Sequence, residues 1–378
     1  MRCSELRKEL DVLAPLHLAC DWDNVGLLLG RAEGEIARVL LAIDLTPEVV
    51  QEALDFGAGM IIAYHPVIFH PLKTIVDSDV RGRMLISLLH AGIAVYSPHT
   101  ALDAVEGGLT DWLCDGLEPA GSTGRGGDRR ALEPYASLPE TQQCKLVTFI
   151  PPNDVDRVRS ALATAGAGII GVYEQCSYSS PGVGTFFGGE GANPVVGEAG
   201  KLEHAREVRL EMVVSRHSIA LAVETLQRFH PYEEPPVDIY DLRPRPERRL
   251  GVGRRLVLDQ PIPFRTLLDR FRQHLGLDHV KHRDVTQGAE VQAIGVVPGA
   301  GASLLVPAIA QGCQVFITGV MKHHEVLDAA LRGCSVVLGG HTNTERGFLT
   351  IYAERLRQRC PELEVRVSEM DRTALAVT

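Results

Sequence analysis

Met60-Ile61-Ile62-Ala63-Tyr64-His65-Pro66 decides how this chain is read. A short unbroken apolar run after a glycine marks a strand buried on both faces of a parallel sheet, and this one delivers a histidine to the strand's carboxyl end. Upstream, Val39 to Ile43 is a second such run. Thr46-Pro47-Glu48 then starts a helix, with threonine as cap and proline at the first helical position, and the helix ends at Gly57 or Gly59. Downstream, a helix over about Arg81 to His90 ends at Gly92, and Ile93 to Tyr96 is a third buried strand that delivers His99. Strand, helix, strand, helix, strand predicts a parallel α/β sheet with right-handed crossovers.

Before this sheet, Ser4 to Leu13 reads as an amphipathic helix with Ser4 as its cap, and Asp21 to Gly26 as a polar turn carrying Trp22, one of two tryptophans. After it, residues 121 to 140 are rich in Gly, Arg, Ser and Pro and read as a linker. A different grammar follows. Lys145 to Ile150 is a predicted strand, Asp154 to Thr164 a helix capped by Asn153, and Val172 to Ser179 a strand. Gly182 to Gly200 reads as a loop, Glu207 to Val214 as a strand, Ser218 to Phe229 as a helix and Val237 to Tyr240 as a last strand. This is the βαβ–βαβ order of a ferredoxin-like α+β domain. Pro244 and Pro246 mark its exit. From residue 248 the first grammar returns. Strands at Ala293 to Val297, Gln314 to Thr318 and Ser335 to Leu338 are separated by helices ending at Gly312 and Gly333, with His323-His324 and His341 after the second and third. Two related α/β halves, 1–122 and 248–378, thus appear as an internal duplication interrupted by an inserted domain, 144–243.

Bulk properties narrow the function. The 378 residues supply material for two or three domains. A net charge of −10 argues against a dedicated nucleic-acid or anionic-membrane surface. No uncharged apolar run is long enough to span a membrane, and the mixed charges of Met1 to Asp11 do not make a signal peptide. Eight scattered cysteines without a C-x-x-C pair read as reduced thiols of a cytoplasmic protein.

Ligands of open α/β sheets gather at the carboxyl ends of strands. His65, His99 and His341 each follow a predicted buried strand, and Asp103 and Glu345 stand four residues after the second and third, a spacing that puts acid and imidazole on one helix face. Imidazoles with carboxylates suit divalent Zn, Fe, Mn or Co, and a pair of such ions supplies a nucleophile at neutral pH. His324 is a candidate proton shuttle, while His323 beside it reads as exposed. Lys73 and Arg346 are candidate phosphate contacts. Trp22 reads first as a packed aromatic and second as a ring that stacks a base. Gly188-Gly189-Glu190-Gly191 lacks the strand–turn–helix setting of a dinucleotide loop. His230 with Glu233 and Glu234 reads first as a structured turn before the last strand of the insert and second as a cation site.

His65-Pro66-Val67-Ile68-Phe69, Ser97-Pro98-His99-Thr100-Ala101-Leu102-Asp103 and Gly340-His341-Thr342-Asn343-Thr344-Glu345-Arg346-Gly347 resemble the three signatures of the Nif-three-like family of dinuclear metal proteins, whose members are often named GTP cyclohydrolase 1 type 2 homologs. Asp21 to Gly26 and Ile317-Thr318-Gly319 with His324 resemble further motifs. The inserted region is similar to that family's optional CutA/PII-like domain, most clearly at His230 to Pro235. The resemblance implies a toroidal homohexamer with two divalent transition metals per subunit, held by His65, His99, Asp103, His341 and Glu345. It also implies a metal-dependent hydrolase, GTP cyclohydrolase-like or acting on another nucleotide or a phosphoester. A non-catalytic metal-binding scaffold with a PII-like sensing insert is the alternative. The chain departs from the pattern at Tyr64, where many members carry a second histidine. Tyr64 there is a weak phenolate ligand, a hydrogen-bond donor to bound water, or a packing residue.

Overall fold

The structure is a computed structural model and describes residues 1–119 and 126–373. In chain order its strands are β1 (Gly26–Leu29), β2 (Arg38–Ala42), β3 (Met60–Ala63), β4 (Ala94–Ser97), β5 (Asp128–Ser137), β6 (Cys144–Ile150), β7 (Tyr178–Phe187), β8 (Leu202–Val214), β9 (Val237–Asp241), β10 (Arg245–Pro263), β11 (Lys281–Arg283), β12 (Glu290–Val296), β13 (Val315–Thr318), β14 (Ser335–Leu338) and β15 (Glu364–Val367). The chain divides into two units, Met1–Tyr135 with Glu247–Thr378, and Ala136–Pro246.

The first unit holds two sheets, ordered β1-β4-β3-β2-β15 and β11-β14-β13-β12-β10-β5. At the centre of each lie three parallel strands, β2-β3-β4 in one and β12-β13-β14 in the other. An antiparallel strand flanks the third of each set, β1 on β4 and β11 on β14. The internal repeat read from the sequence is therefore repeated in topology. Both faces of the first sheet are covered, which explains its unbroken apolar runs. Val39, Leu41, Ile62 and Tyr96 join one core, shared with Ile294, Val315 and Val337 of the second sheet, while Leu40, Ile61 and Val95 on the opposite face join another. Helix Pro47–Phe56 forms as its sequence dictates. The Thr46 hydroxyl accepts from Val49 N at 3.3 Å, and Gly57, at φ 66°, closes the last turn in the left-handed conformation that glycine adopts without a Cβ penalty.

Several local expectations are corrected. The first helix, Cys3–Leu13, starts ahead of Ser4 and is entered from Arg2, whose backbone N–H donates to Glu5 at 2.8 Å. Residues 121–125 of the expected linker lie outside the described residues, as do the expected half-ends at 122 and 378, but the rest of that linker is largely strand β5 at the edge of the second sheet. Its Leu132 packs with Val297 and Leu304, which draws the stretch into the core despite its Arg and Pro content. The exit segment with Pro244 and Pro246 runs straight into β10. The C-terminal strand β15 lies parallel to β2 in the first sheet, pairing Val365 with Val39, so the second half completes the first.

The second unit has the order β-α-β-β-α-β, with helices Val155–Thr164 and Ile219–Phe229 and one antiparallel sheet ordered β7-β8-β6-β9. Leu146, Leu162, Leu210 and Leu226 centre its core. The expected strand at Val172 to Ser179 and the expected loop at Gly182 to Gly200 are both displaced, because β7 starts at Tyr178 and continues through Gly182 and Gly184 to pair Phe187 with Leu202. Gly184 leaves room there for the Glu207 carboxylate, which a Cβ would meet at 2.2 Å. A 3₁₀ turn, Pro152–Asp154, leads into helix Val155–Thr164, and no Asn153 side-chain cap forms. His230 is buried, and its Nδ1 accepts from Tyr232 N at 3.0 Å, the structured turn expected there. Among the described residues, no helix is long and apolar enough to cross a membrane, and all eight cysteines are free.

Candidate metal centre

Tyr64 and His65 leave the end of β3 side by side, and β4 leads through Ser97 and Pro98 to helix His99–Ala104. The Ser97 hydroxyl donates to Tyr64 O at 2.7 Å and locks the two strand ends together. His99 holds φ at 28°, a backbone region that side-chain-bearing residues rarely occupy. Its anchor is Asp23 in the polar turn. Asp23 Oδ1 accepts from His99 Nδ1 at 2.8 Å, and Oδ2 accepts from the Thr100 hydroxyl at 2.5 Å and the Thr100 amide at 3.2 Å. Four residues on, Asp103 is buried, with the Thr110 hydroxyl donating to its carbonyl at 2.9 Å. The last carbonyls of this helix region, Ala104 O and Val105 O, accept from the buried Arg254 of β10 at 3.1 and 3.0 Å.

From the second half come His341 and Glu345. His341 lies in the turn after β14, ahead of helix Asn343–Arg346, rather than on that helix with Glu345. The two side chains still meet, His341 Nε2 lying 3.4 Å from Glu345 Oε1, while His65 Nε2 lies 3.6 Å from Glu345 Oε2. Arg346, adjacent to Glu345, is bound to Asp371 at 2.5 Å, and Asp371 also accepts from Ile43 N at 2.7 Å at the end of β2. That network ties the helix to the first sheet through Arg346 Nη1, so this side of the guanidinium faces the Asp371 carboxylate. Ring centroids of His65 stand 5.5 Å from His99 and 5.4 Å from His341. Tyr64, His65, His99, Asp103, His341 and Glu345 all line one cavity of about 530 Å³. His324 does not line it. It is exposed on the first turn of helix His323–Leu331, edge to His323, and the proton-shuttle reading finds no support in this placement. Lys73 is likewise exposed and outside the lining.

The donor chemistry fits a cation. His65, His341 and Glu345 offer ligand atoms within 4.8 Å of one another. Glu345 is 2% exposed, and its Oε2 has no hydrogen-bond partner among the described residues. A buried, unpaired carboxylate oxygen is costly, and a cation among these donors would satisfy it. Nδ1–H of His65 donates to Asp44 Oδ1 at 2.8 Å, as that of His99 donates to Asp23, which leaves each Nε2 as the free nitrogen. Acid partners of this kind orient metal-ligating imidazoles. Gly299 completes the wall. At φ 59° it packs so closely that a Cβ would stand 2.6 Å from Glu345 Oε1.

Titration follows the same geometry. Burial pushes the Asp103 carboxyl up to about 7, with His99 and the Tyr64 hydrogen bond pulling the other way. Burial opposes a proton on His65, but the hydrogen bond to Asp44 and the negative charge of Glu345, 3.6 Å away, outweigh it and raise this imidazole to about 10. Asp44 and Asp23 are held below the usual carboxylate range. Burial works against this, and the bonds to His65 and His99 prevail. Burial, with Asp103 and Glu345 nearby, holds Tyr64 well above the ordinary phenol value, and its hydroxyl donates to Asp103 Oδ1 at 2.7 Å. Without a metal, Tyr64 is therefore a neutral phenol that meets Asp103.

Asp44, Asp23 and Gly299 were not foreseen as parts of the site. Asp44 was findable, since it follows the buried run Val39 to Ile43 just as His65 follows its own. Trp22, expected to pack, is instead 63% exposed at the cavity.

Fold and site define a two-unit α/β protein whose larger unit carries a His/Glu group of metal-binding composition in an open cavity. The profile of the Duf34/NIF3 (NGG1p interacting factor 3) family matches residues 1–374, and the chain belongs to that family. It is 33% identical over 333 residues to a protein of Halalkalibacterium halodurans, covering 88% of this chain and 86% of that one. It is also 33% identical over 328 residues to one of Bacillus subtilis, covering 87% and 85%. Both relatives bear the name GTP cyclohydrolase 1 type 2 homolog. Among solved structures, a Bacillus cereus protein related to NIF3 matches with a TM-score of 0.65 at 30% identity, covering 100% of this chain and 99% of that one. A Staphylococcus aureus protein shares the fold with a TM-score of 0.73 at 24% identity, over 100% and 99% of the two chains.

Proposed function

We propose that this protein is a metal-dependent hydrolase acting on a nucleotide or a phosphoester. One observation carries the reading: the buried Glu345 carboxylate, whose Oε2 lacks a hydrogen-bond partner among the described residues while it faces His65 and His341. His65, His341 and Glu345 would hold one divalent transition ion, Zn, Fe, Mn or Co, and His99 with Asp103 a second. Such ions supply charge stabilisation and a nucleophile at neutral pH. The chain's own contribution is positional. Asp44 and Asp23 fix the tautomers of His65 and His99, Tyr64 holds Asp103, and the cavity admits a substrate beside them. Open access next to the donors favours catalysis over storage. The name of the curated relatives makes a purine nucleotide the first candidate substrate. We extend the family resemblance to a toroidal homohexamer and to a CutA/PII-like role for residues 136–246, whose βαββαβ order supports it. The eight free thiols fit a reducing cytoplasm.

Elemental analysis of the purified protein, paired with a screen of nucleotides and phosphoesters, tests this. One to two transition metals per chain are expected, with turnover that chelation removes. The double variant His341→Ala, Glu345→Ala is expected to lose the metal. Metal content unchanged by that pair would end the assignment of the site, and bound metal without turnover of any compound would turn the reading towards a metal-binding scaffold.

A further inference from the structure

Trp22 is the least explained side chain of the cavity. A large apolar ring left 63% exposed contributes little to folding, and such residues mark contact surfaces when they are held in place. This one is held. Its neighbour Asp23 is tied to His99 and to Thr100, and Asn24 Nδ2 donates to Ile68 O at 2.5 Å, clamping the turn against the segment that carries Phe69. Phe69 is itself 42% exposed. The Trp22 and Phe69 rings stand 6.0 Å apart, and their centroids lie 6.1 and 6.5 Å from His99. Two exposed aromatic rings, pre-set beside the donor histidines, match a platform for stacking a planar ring.

The charge of the cavity supplies the second half of the argument. Among the described residues that line it there is no lysine or arginine, whereas Asp103, Glu133 and Glu345 contribute carboxylates. Glu133, on β5, is exposed and can accept from ring N–H or amino groups. Binding of a polyphosphate commonly uses lysine, arginine or a cluster of backbone N–H groups. Here Gly299 N already donates to Thr344 and Gly301 N to Thr318.

The geometry points to a substrate recognised through a fused heteroaromatic ring bearing N–H donors, stacked on Trp22 and bordered by Phe69, with no cationic subsite for a polyphosphate tail among the described residues that line the cavity. The inference rests on the hydrolase reading only for the location of the site. It narrows that reading to nucleosides, monophosphates or free heterocycles in preference to nucleoside triphosphates.

The ring subsite is testable without metal. Trp22 and the buried Trp112 are the two tryptophans, so exposed-indole fluorescence reports on Trp22. Chelator-treated full-length protein is titrated with guanosine, adenosine and cytidine, and with ribose 5-phosphate and GTP, followed by calorimetry. At least one purine nucleoside is expected to quench saturably, ribose 5-phosphate not to bind, and GTP to bind about tenfold more weakly than guanosine because the carboxylates repel it. Trp22→Ala is expected to weaken nucleoside binding about ten- to a hundredfold, and Trp22→Phe to restore most of it, both with an unchanged melting curve. No saturable quench by any nucleoside, an unaltered affinity in Trp22→Ala, or tighter binding of GTP than of guanosine in metal-free protein would each overturn the proposal. Metal-dependent cleavage of a ringless phosphoester without nucleoside binding would remove this inference and leave the hydrolase reading. Nucleoside binding by a protein without metal-dependent turnover would do the reverse.

Discussion

Glu345→Gln separates a structural role for this side chain from a role as ligand. The carboxylate is 2% exposed, its Oε2 has no hydrogen-bond partner among the described residues, and the imidazole nitrogens of His341 and His65 lie at 3.4 and 3.6 Å. Glutamine keeps the shape and removes the charge. Leaving a buried polar atom unpaired costs about 1–3 kcal/mol, and the two imidazoles offset part of that for the carboxylate. In chelator the variant is therefore expected to match the parent protein or to exceed it by about 1 kcal/mol. With a metal at a hundred times its Kd, ligation stabilises the parent by about 2.7 kcal/mol. A variant whose affinity has dropped about a hundredfold keeps only about 0.4 kcal/mol of that, so the order inverts by about 2 kcal/mol. For a unit of this size that is about 4–8 °C in melting temperature. Thermal unfolding in chelator and in Zn, Mn, Co and Fe(II) measures both sides of the inversion. An equal loss of stability in chelator and in every metal would mean that Glu345 is a packing and hydrogen-bonding residue, and the reasoning from its unpaired oxygen would fail.

Proton release gives a second check. Asp103, raised to about 7, and His65, raised to about 10, each favour the protonated folded state, so their stabilising effect is present below their unfolded values and is lost as pH rises through the folded ones. Metal-free protein should thus lose stability as pH climbs from about 4 to 10, while metal affinity rises over the same span. Calorimetry in buffers of differing ionisation enthalpy is expected to show about two protons released per chain at pH 6 and about one near pH 8.5, and a pH-independent affinity would contradict both assignments. Tyr64→Phe removes the 2.7 Å bond to Asp103 and is expected to cost about 1–2 kcal/mol while retaining metal. Complete loss of metal in that variant would restore the phenolate-ligand reading.

The legible parts of the fold were those buried on two faces. In β2, β3, β4, β13 and β14 every second residue meets one core and the alternate ones the other, which forces a continuous apolar run that no surface strand needs. Edge strands carry a weaker constraint. β1, β11 and β15 are three or four residues long, and β5 mixes Arg, Glu and Pro because only part of it packs inward. β15 was hidden for another reason. Its partner β2 is more than three hundred residues away, and nothing local records that pairing.

The site divides along the same line. That His65, His99 and His341 share a cavity was readable because strand ends in such sheets gather on one rim, and that Asp103 and Glu345 join them because a four-residue spacing brings side chains together even where, as at His341, one member sits in a turn. What spacing does not encode is the partner across the fold. Asp44 meets His65, Asp23 meets His99, and Gly299 closes on Glu345 only after separate elements have docked.

Tyr64 is the instructive case, since sequence alone left three roles open for it. Burial and two neighbouring carboxylates weigh against the phenolate in the metal-free protein, and the hydroxyl meets Asp103, a contact outside those three roles. The tyrosine then gives Asp103 a proton to share where a histidine would have offered a lone pair. The two proposed metal positions are unequal as a result. Three facing donors, His65, His341 and Glu345, stand on one side. On the other are His99 and an Asp103 already engaged by a hydroxyl, so we propose that an ion at the first position would be held the more tightly.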